Sequence, residues 1–127
     1  MIDGDAVLAN KRVLIVEDEM LIAMLIEDML VDLGCEPVGP YSSVAGALGA
    51  MDSHRFDLAI LDANLGREMI YPVAERLEQR GIPFLLVSGY GQQAVPAGRD
   101  HWRVCTKPFR RDDLVRMMVS LVPLTSQ

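Results

Sequence analysis

Residues Arg12 to Met20 read RVLIVEDEM, four apolar residues running directly into three carboxylates. The unbroken apolar run Val13 to Val16 is what a strand buried on both faces requires, because a half-exposed strand would alternate apolar with polar residues. Two further runs share the pattern, Leu58 to Leu61 and Phe84 to Val87, each followed by polar or glycine-containing sequence. Helical spacings lie between and around them: Ile22, Leu25, Ile26, Met29 and Leu33, then Val44, Ala47, Leu48 and Met51, then Val73, Ala74 and Leu77. Gly34 and Gly81 stop two of these helices. Pro72 suits the first turn of the third, which leaves Ala63 to Tyr71 as a long loop.

Two weaker strands complete the count: Glu36 to Gly39, followed by Pro40 and containing Pro37, which suits a sheet edge, and Trp102 to Thr106. A closing helix over Asp112 to Val122 carries acids in its first turn and apolar residues at Leu114, Met117, Met118 and Leu121. Five β-α units joined by right-handed crossovers predict an α/β fold, a flavodoxin-like (βα)5 doubly wound five-stranded parallel sheet of order 2-1-3-4-5. The fourth unit is the weak one. GQQAVPAGRD places Gly91, Pro96 and Gly98 where a helix belongs, so that helix is expected to be short, frayed or mobile.

The 127 residues, half of them hydrophobic, support a single domain over 1-127 with its core at about 11-122. A net charge of −6 without any run of Lys and Arg excludes a nucleic-acid surface, which would need a clustered basic face. No segment approaches the roughly 20 apolar residues that span a bilayer, and MIDGDAVLANKR lacks the basic-then-apolar pattern of a leader. The expected location is cytoplasmic, with no membrane partner. Cys35 and Cys105 lack any metal-ligand spacing and are expected as reduced, buried thiols.

In sheets of this kind ligands sit at the carboxyl ends of the strands, near the point where strand order reverses. The strand ends carry Glu17 and Asp18, then Asp62, then Ser88 with Gly89, then Lys107 with Pro108. Clustered carboxylates repel unless a divalent cation or a proton neutralises them. Oxygen ligands without His or thiolate favour Mg²⁺ or Mn²⁺, and Mg²⁺ leaves room for a phosphoryl oxygen. Asp62 can then accept a phosphoryl group as an acyl phosphate, with Ser88 and Lys107 bonding its oxygens. Taken singly, each residue has a plainer role: Asp18 or Glu19 as a helix cap, Asp62 as a turn acid, Ser88 and Lys107 as ordinary strand exits. Their convergence is what favours a site.

With these residues, the chain resembles a response-regulator receiver domain of two-component signalling. The stretch LDANLGREMIYPVAERL followed by GIPFLLVSGYG is similar to the FATGUY-type single-domain receivers, whose motif is roughly P-F-x-F-A-T-G-Y-G. Here Leu86, Val87 and Ser88 stand at the F-A-T positions. The resemblance implies Glu17 and Asp18 as the acidic pair for Mg²⁺, Asp62 as phosphoacceptor and the backbone carbonyl of Asn64 as a further metal ligand. It also implies Ser88 as the switch hydroxyl and Lys107, before a cis-linked Pro108, as the phosphate-binding lysine. The implied partner is a histidine kinase or phosphotransfer protein of the HWE or a related type, in a phosphorelay. The domain is then not an enzyme in the ordinary sense, but one that catalyses its own phosphorylation and slow dephosphorylation. After Val122 only PLTSQ follows, so no output domain is expected, and the signal leaves through protein contacts or ends in a phosphate sink.

Two competitors remain at this point: a haloacid-dehalogenase-type phosphatase, which would need a general acid where Asn64 stands, and a degenerate receiver that binds a partner without phosphorylation. Receivers usually carry Tyr or Phe three residues before the lysine, where this chain has Val104. Tyr90 either takes over that switch or is a half-buried loop aromatic. The segment from Gly89 to Asp100 is expected to order on phosphorylation. The extra apolar residues of the first helix, Met20, Leu21, Met24 and Val31, form either a thick core contact or a kinase-docking surface. His54 and His101 are read as surface or packing residues, and Trp102 as packing on a neighbouring helix.

Overall fold

Five parallel strands form the centre of the molecule in the computed structural model, which describes residues 7–122. Residues 1–6 and the closing PLTSQ, on which the expectations of no leader and no output domain rest, lie outside the described residues. The strands of the main sheet are β1 (Arg12–Val16), β2 (Glu36–Tyr41), β3 (Leu58–Asp62), β6 (Phe84–Ser88) and β7 (Arg103–Thr106). Their order, β2-β1-β3-β6-β7, is the expected flavodoxin-like one. The helices are α1 (Met20–Asp32), α2 (Val44–Ser53), α3 (Tyr71–Gln79) and α4 (Arg111–Leu121).

The apolar runs explain the layering. Leu14, Val16, Ala59, Leu61 and Leu86 point to one face, where Ala47, Ala50 and Met51 of α2 and Val73, Ala74 and Leu77 of α3 cover them. Val13, Ile15, Leu58, Ile60, Leu85 and Val87 point to the other, against Ile26, Met29 and Leu30 of α1 and Leu114 and Met118 of α4. With a side-chain period of two, a strand apolar at every position can only rest between two covered faces. β3 and β6 are buried along their full length. At the edge, β2 carries its two prolines and a register shift opposite Leu14 to Val16. Gly39 adopts φ +108 there, and a Cβ would stand 2.8 Å from the Ile15 carbonyl oxygen, so only glycine fits.

The fourth crossover is as short as expected: a single 3-10 turn, Gly91–Ala94, stands in place of an α-helix, since glycine and proline interrupt the segment on both sides. Two expectations need correction. The loop after β3 instead holds a small antiparallel hairpin, β4 (Asn64–Leu65) with β5 (Glu68–Met69). Gly66 opens its two-residue turn at φ +62, a conformation such hairpin turns require. Of the stripe expected on α1, Ile26, Met29 and Leu33 are buried and Ile22 packs against the core, but Leu25 lies 65 % exposed while Ala23 and Leu30 are buried as well. Met20, Leu21, Met24 and Val31 are likewise exposed, so the thick-core-contact reading fails.

Trp102 behaves as expected, donating its indole N–H to Glu78 of α3 and packing edge-on against Phe84. His101 also bonds Glu78, and His54 is exposed beside Ser53. Cys35 and Cys105 are buried thiols. No helix among the described residues is long and apolar enough to cross a membrane.

Candidate functional site

Strand register brings the polar strand ends together. Val16 lies opposite Leu61, which puts Glu17 beside Asp62. Asp62 lies opposite Val87, so Ser88 stands one step beyond it. Ser88 pairs with Thr106, and the next residue, Lys107, donates its backbone N–H to the Ser88 carbonyl at 2.8 Å. Four separate segments thus deliver side chains to one end of the sheet.

Glu17, Asp62 and Ser88 are the buried polar residues there, at 3 %, 4 % and 1 % exposure. Glu17, Asp18 and Asp62 each offer a carboxylate oxygen, and these oxygens lie within 4.8 Å of one another. Lys107 answers them from the other side: its Nζ stands 3.5 Å from Glu17 Oε1, from Glu19 Oε1 and from Asp62 Oδ2. Backbone amides hold the remaining oxygens, with Glu19 N–H donating to Glu17 Oε2 at 3.1 Å and Asn64 N–H donating to Asp62 Oδ1 at 3.2 Å. A cleft of about 440 Å³ opens over this cluster, lined by Glu19, Asp62, Asn64, Gly89, Tyr90 and Lys107.

The electrostatics follow from burial. Desolvation, reinforced by Asp62 nearby, pushes the Glu17 carboxyl up to about 7. Asp62 is raised for the same first reason, although contact with Glu17, the ammonium of Lys107 and the Asn64 amide pull against it. Burial disfavours the charged form of Lys107, yet Asp62, Glu17 and Glu19 together raise its pKa. One amine cannot neutralise four neighbouring acids. Glu17 Oε1, moreover, is buried without a hydrogen-bond partner, its nearest cation being Lys107 at 3.5 Å. An all-oxygen set with an unsatisfied buried carboxylate oxygen fits a hard divalent cation such as Mg²⁺.

The surroundings of these groups were less legible. Asp18, exposed, lies near Gly66 of the hairpin, whose added Cβ would be 3.9 Å from Asp18 Oδ2. The hairpin in turn is tied to α2, Glu68 Oε1 accepting from Val44 N–H, and it carries Asn64 into the cleft. Glu19 occupies the N-cap position of α1 but makes no side-chain cap; its carboxylate faces Lys107 instead. That contact was missed because capping was the plainer expectation for an acid at a helix start. Ser88 Oγ accepts from Tyr90 N–H at 3.0 Å, while the Tyr90 side chain is 67 % exposed rather than half-buried. The peptide bond between Lys107 and Pro108 is cis, as the resemblance implied.

The chain matches the response regulator receiver domain family over residues 13–119. It belongs to that family. The receiver is 33 % identical over 117 residues to the transcriptional regulatory protein PdtaR of Mycobacterium tuberculosis, a match covering 89 % of this chain and 57 % of that one. It therefore spans little more than half the length of that curated relative. The solution structure of SdrG from Sphingomonas melonis Fr1 superposes with a TM-score of 0.79 at 39 % identity, covering 96 % of this chain and 100 % of SdrG. The response regulator PhyR from Brucella abortus matches with a TM-score of 0.79 at 26 % identity, over 94 % of this chain and 51 % of PhyR. Family membership decides against the dehalogenase-type phosphatase.

Proposed function

We propose that the receiver accepts a phosphoryl group from a phosphohistidine donor onto Asp62, with Glu17, Asp18, Asp62 and the Asn64 backbone carbonyl holding Mg²⁺. The observation that carries this reading is the meeting of Lys107 Nζ with Asp62 Oδ2 at 3.5 Å, where Asp62 forms with Glu17 and Asp18 a group of three carboxylates whose oxygens lie within 4.8 Å. Bound Mg²⁺ would offset the negative charge of the carboxylates and of the phosphoryl oxygens. Asp62 supplies the nucleophilic oxygen, its carboxylate held among the Glu17 carboxyl, the Lys107 ammonium and the Asn64 amide. Lys107, ion-paired with the carboxylates, turns its ammonium to the incoming phosphoryl oxygens, and Ser88 donates its hydroxyl hydrogen to another while Oγ still accepts from Tyr90. The same groups, with water in place of the donor, support slow self-hydrolysis.

The donor is a histidine kinase or phosphotransfer protein, of the HWE or a related type, in keeping with the FATGUY-like motif around Ser88. The exposed Met20, Leu21 and Met24 of α1 offer that donor an apolar face. The signal passes on through protein contacts, or the domain acts as a phosphate sink. Incubation with acetyl phosphate and Mg²⁺ should add one phosphate to the wild-type mass and none to Asp62→Asn. An unmodified wild type would leave the degenerate receiver as the reading. A Met24→Glu variant that takes phosphate from a phosphohistidine protein at the wild-type rate would remove the docking face.

A further inference from the structure

The Lys107 ammonium stands 3.5 Å from three carboxylates at once. Two of these, Glu17 and Asp62, are buried and belong to the reacting centre. The third, Glu19, does not: its side chain is 62 % exposed and lines the mouth of the cleft. Nothing in local structure needs it there, since its side chain makes no cap on α1. We propose that Glu19 is a specificity-determining residue that slows phosphorylation by small, free, highly charged donors. It does so by occupying Lys107 and by placing a negative charge at the entrance through which a phosphoryl dianion must pass. The inference rests on the reading of Asp62 as phosphoacceptor.

Charge makes the case. Glu17, Asp18, Glu19 and Asp62 sum to −4 when ionised and Lys107 returns +1, so even a bound divalent cation leaves the cleft at −1; without Glu19 it is neutral. A small acyl phosphate arrives as a dianion with no other contact to the protein, so mouth electrostatics act on its whole encounter. A phosphohistidine on a protein is delivered by an interface, whose contacts outweigh one exposed charge. In either case the new bond joins an Asp62 oxygen to phosphorus while the bond to the leaving group breaks. With acetyl phosphate the leaving group is acetate, which departs with the bonding pair.

The test compares initial rates of Mg²⁺-dependent labelling of wild type and Glu19→Gln by acetyl phosphate, a dianion, and by phosphoramidate, which carries less net charge. Glu19→Gln should raise the acetyl phosphate rate roughly two- to five-fold at low ionic strength, the scale of one exposed charge contact. The gain should shrink in ~0.5 M salt and be smaller with phosphoramidate. The melting temperature should stay within about 2 °C of wild type, because no cap is lost. Equal or slower labelling of Glu19→Gln, or a gain independent of salt and donor charge, overturns the inference. Failure of the wild type itself to label at Asp62 overturns instead the reading beneath it, and Asp62→Asn in parallel tells the two apart.

Discussion

The two walls of the cleft are built in opposite ways. On one side a fully regular strand, β1, runs into a 13-residue helix, and the acids Glu17, Asp18 and Glu19 sit at that junction. On the other, β6 and β7 are joined by a connection whose regular structure is one 3-10 turn, and it presents Ser88, Tyr90 and Lys107. The acidic wall is fixed by helix and sheet hydrogen bonds. On the basic wall, Ser88 and Lys107 are held by the β6–β7 pairing, and the connection between those strands is tied by side chains: Tyr90 N–H to Ser88 Oγ at one end, and the Tyr71 hydroxyl to the Ala94 carbonyl farther along. Beyond that, Arg99 lies over the Trp102 ring at 5.6 Å and within 3.6 Å of Glu75, so α3 holds the connection at a second point. A connection tied by few side-chain bonds can be rearranged by a ligand that competes for one of them.

Removing the amine tests the division most severely. Lys107→Ala should lower the initial labelling rate by acetyl phosphate about 100-fold, the scale of losing one preorganised charge partner of a developing anion. A loss under about three-fold would mean the two walls do not act on a common phosphoryl group.

The acidic wall should show itself in pH. Because the Glu17 carboxyl is raised to about 7, the folded state holds more protons than the unfolded chain between 4.5 and 7, and stability falls as pH rises through that window. The raised Asp62 acts in the same direction. Glu78 is lowered by its bonds from His101 and Trp102, so its contribution is already complete above 4.5 and does not change there. In chelator, then, the protein should lose on the order of 2 kcal/mol from pH 5 to 8, a drop of roughly 5–10 °C by calorimetry. Saturating Mg²⁺ should reverse the trend, and Glu17→Gln should shrink it, leaving the smaller share that Asp62 contributes. A flat wild-type profile in chelator would show that folding does not raise the Glu17 carboxyl.

The smallest expected effect concerns the tethers of the basic wall. Tyr71→Phe removes one hydroxyl bond and should cost about 1 kcal/mol in denaturant unfolding. It should speed amide exchange at Gly91–Ala94 and leave β1 and α1 unchanged. In wild type, beryllofluoride with Mg²⁺ should slow exchange between Gly89 and Asp100. Unchanged protection there would sink the proposal that this connection orders when Asp62 is phosphorylated.

Much of this was legible in the chain itself. Strands apolar at every position can be satisfied only inside a covered parallel sheet, so Val13 to Val16, Leu58 to Leu61 and Phe84 to Val87 determine the layers and place their polar successors at one end. The exposure of Leu25 was not legible, because Met20 to Ile26 is apolar at every position and the pattern does not separate Leu25 from the buried Ala23. The hairpin after β3 escaped because two-residue strands carry almost no pattern. Tertiary structure alone decided that Glu19 faces Lys107 rather than capping its helix, that Tyr90 lies outside, and which hydrogen bonds fasten the β6–β7 connection. Hydrophobic period is a property of the chain and survives in one dimension, whereas the partner of an exposed or half-buried polar group depends on what the finished fold brings within about 3.5 Å.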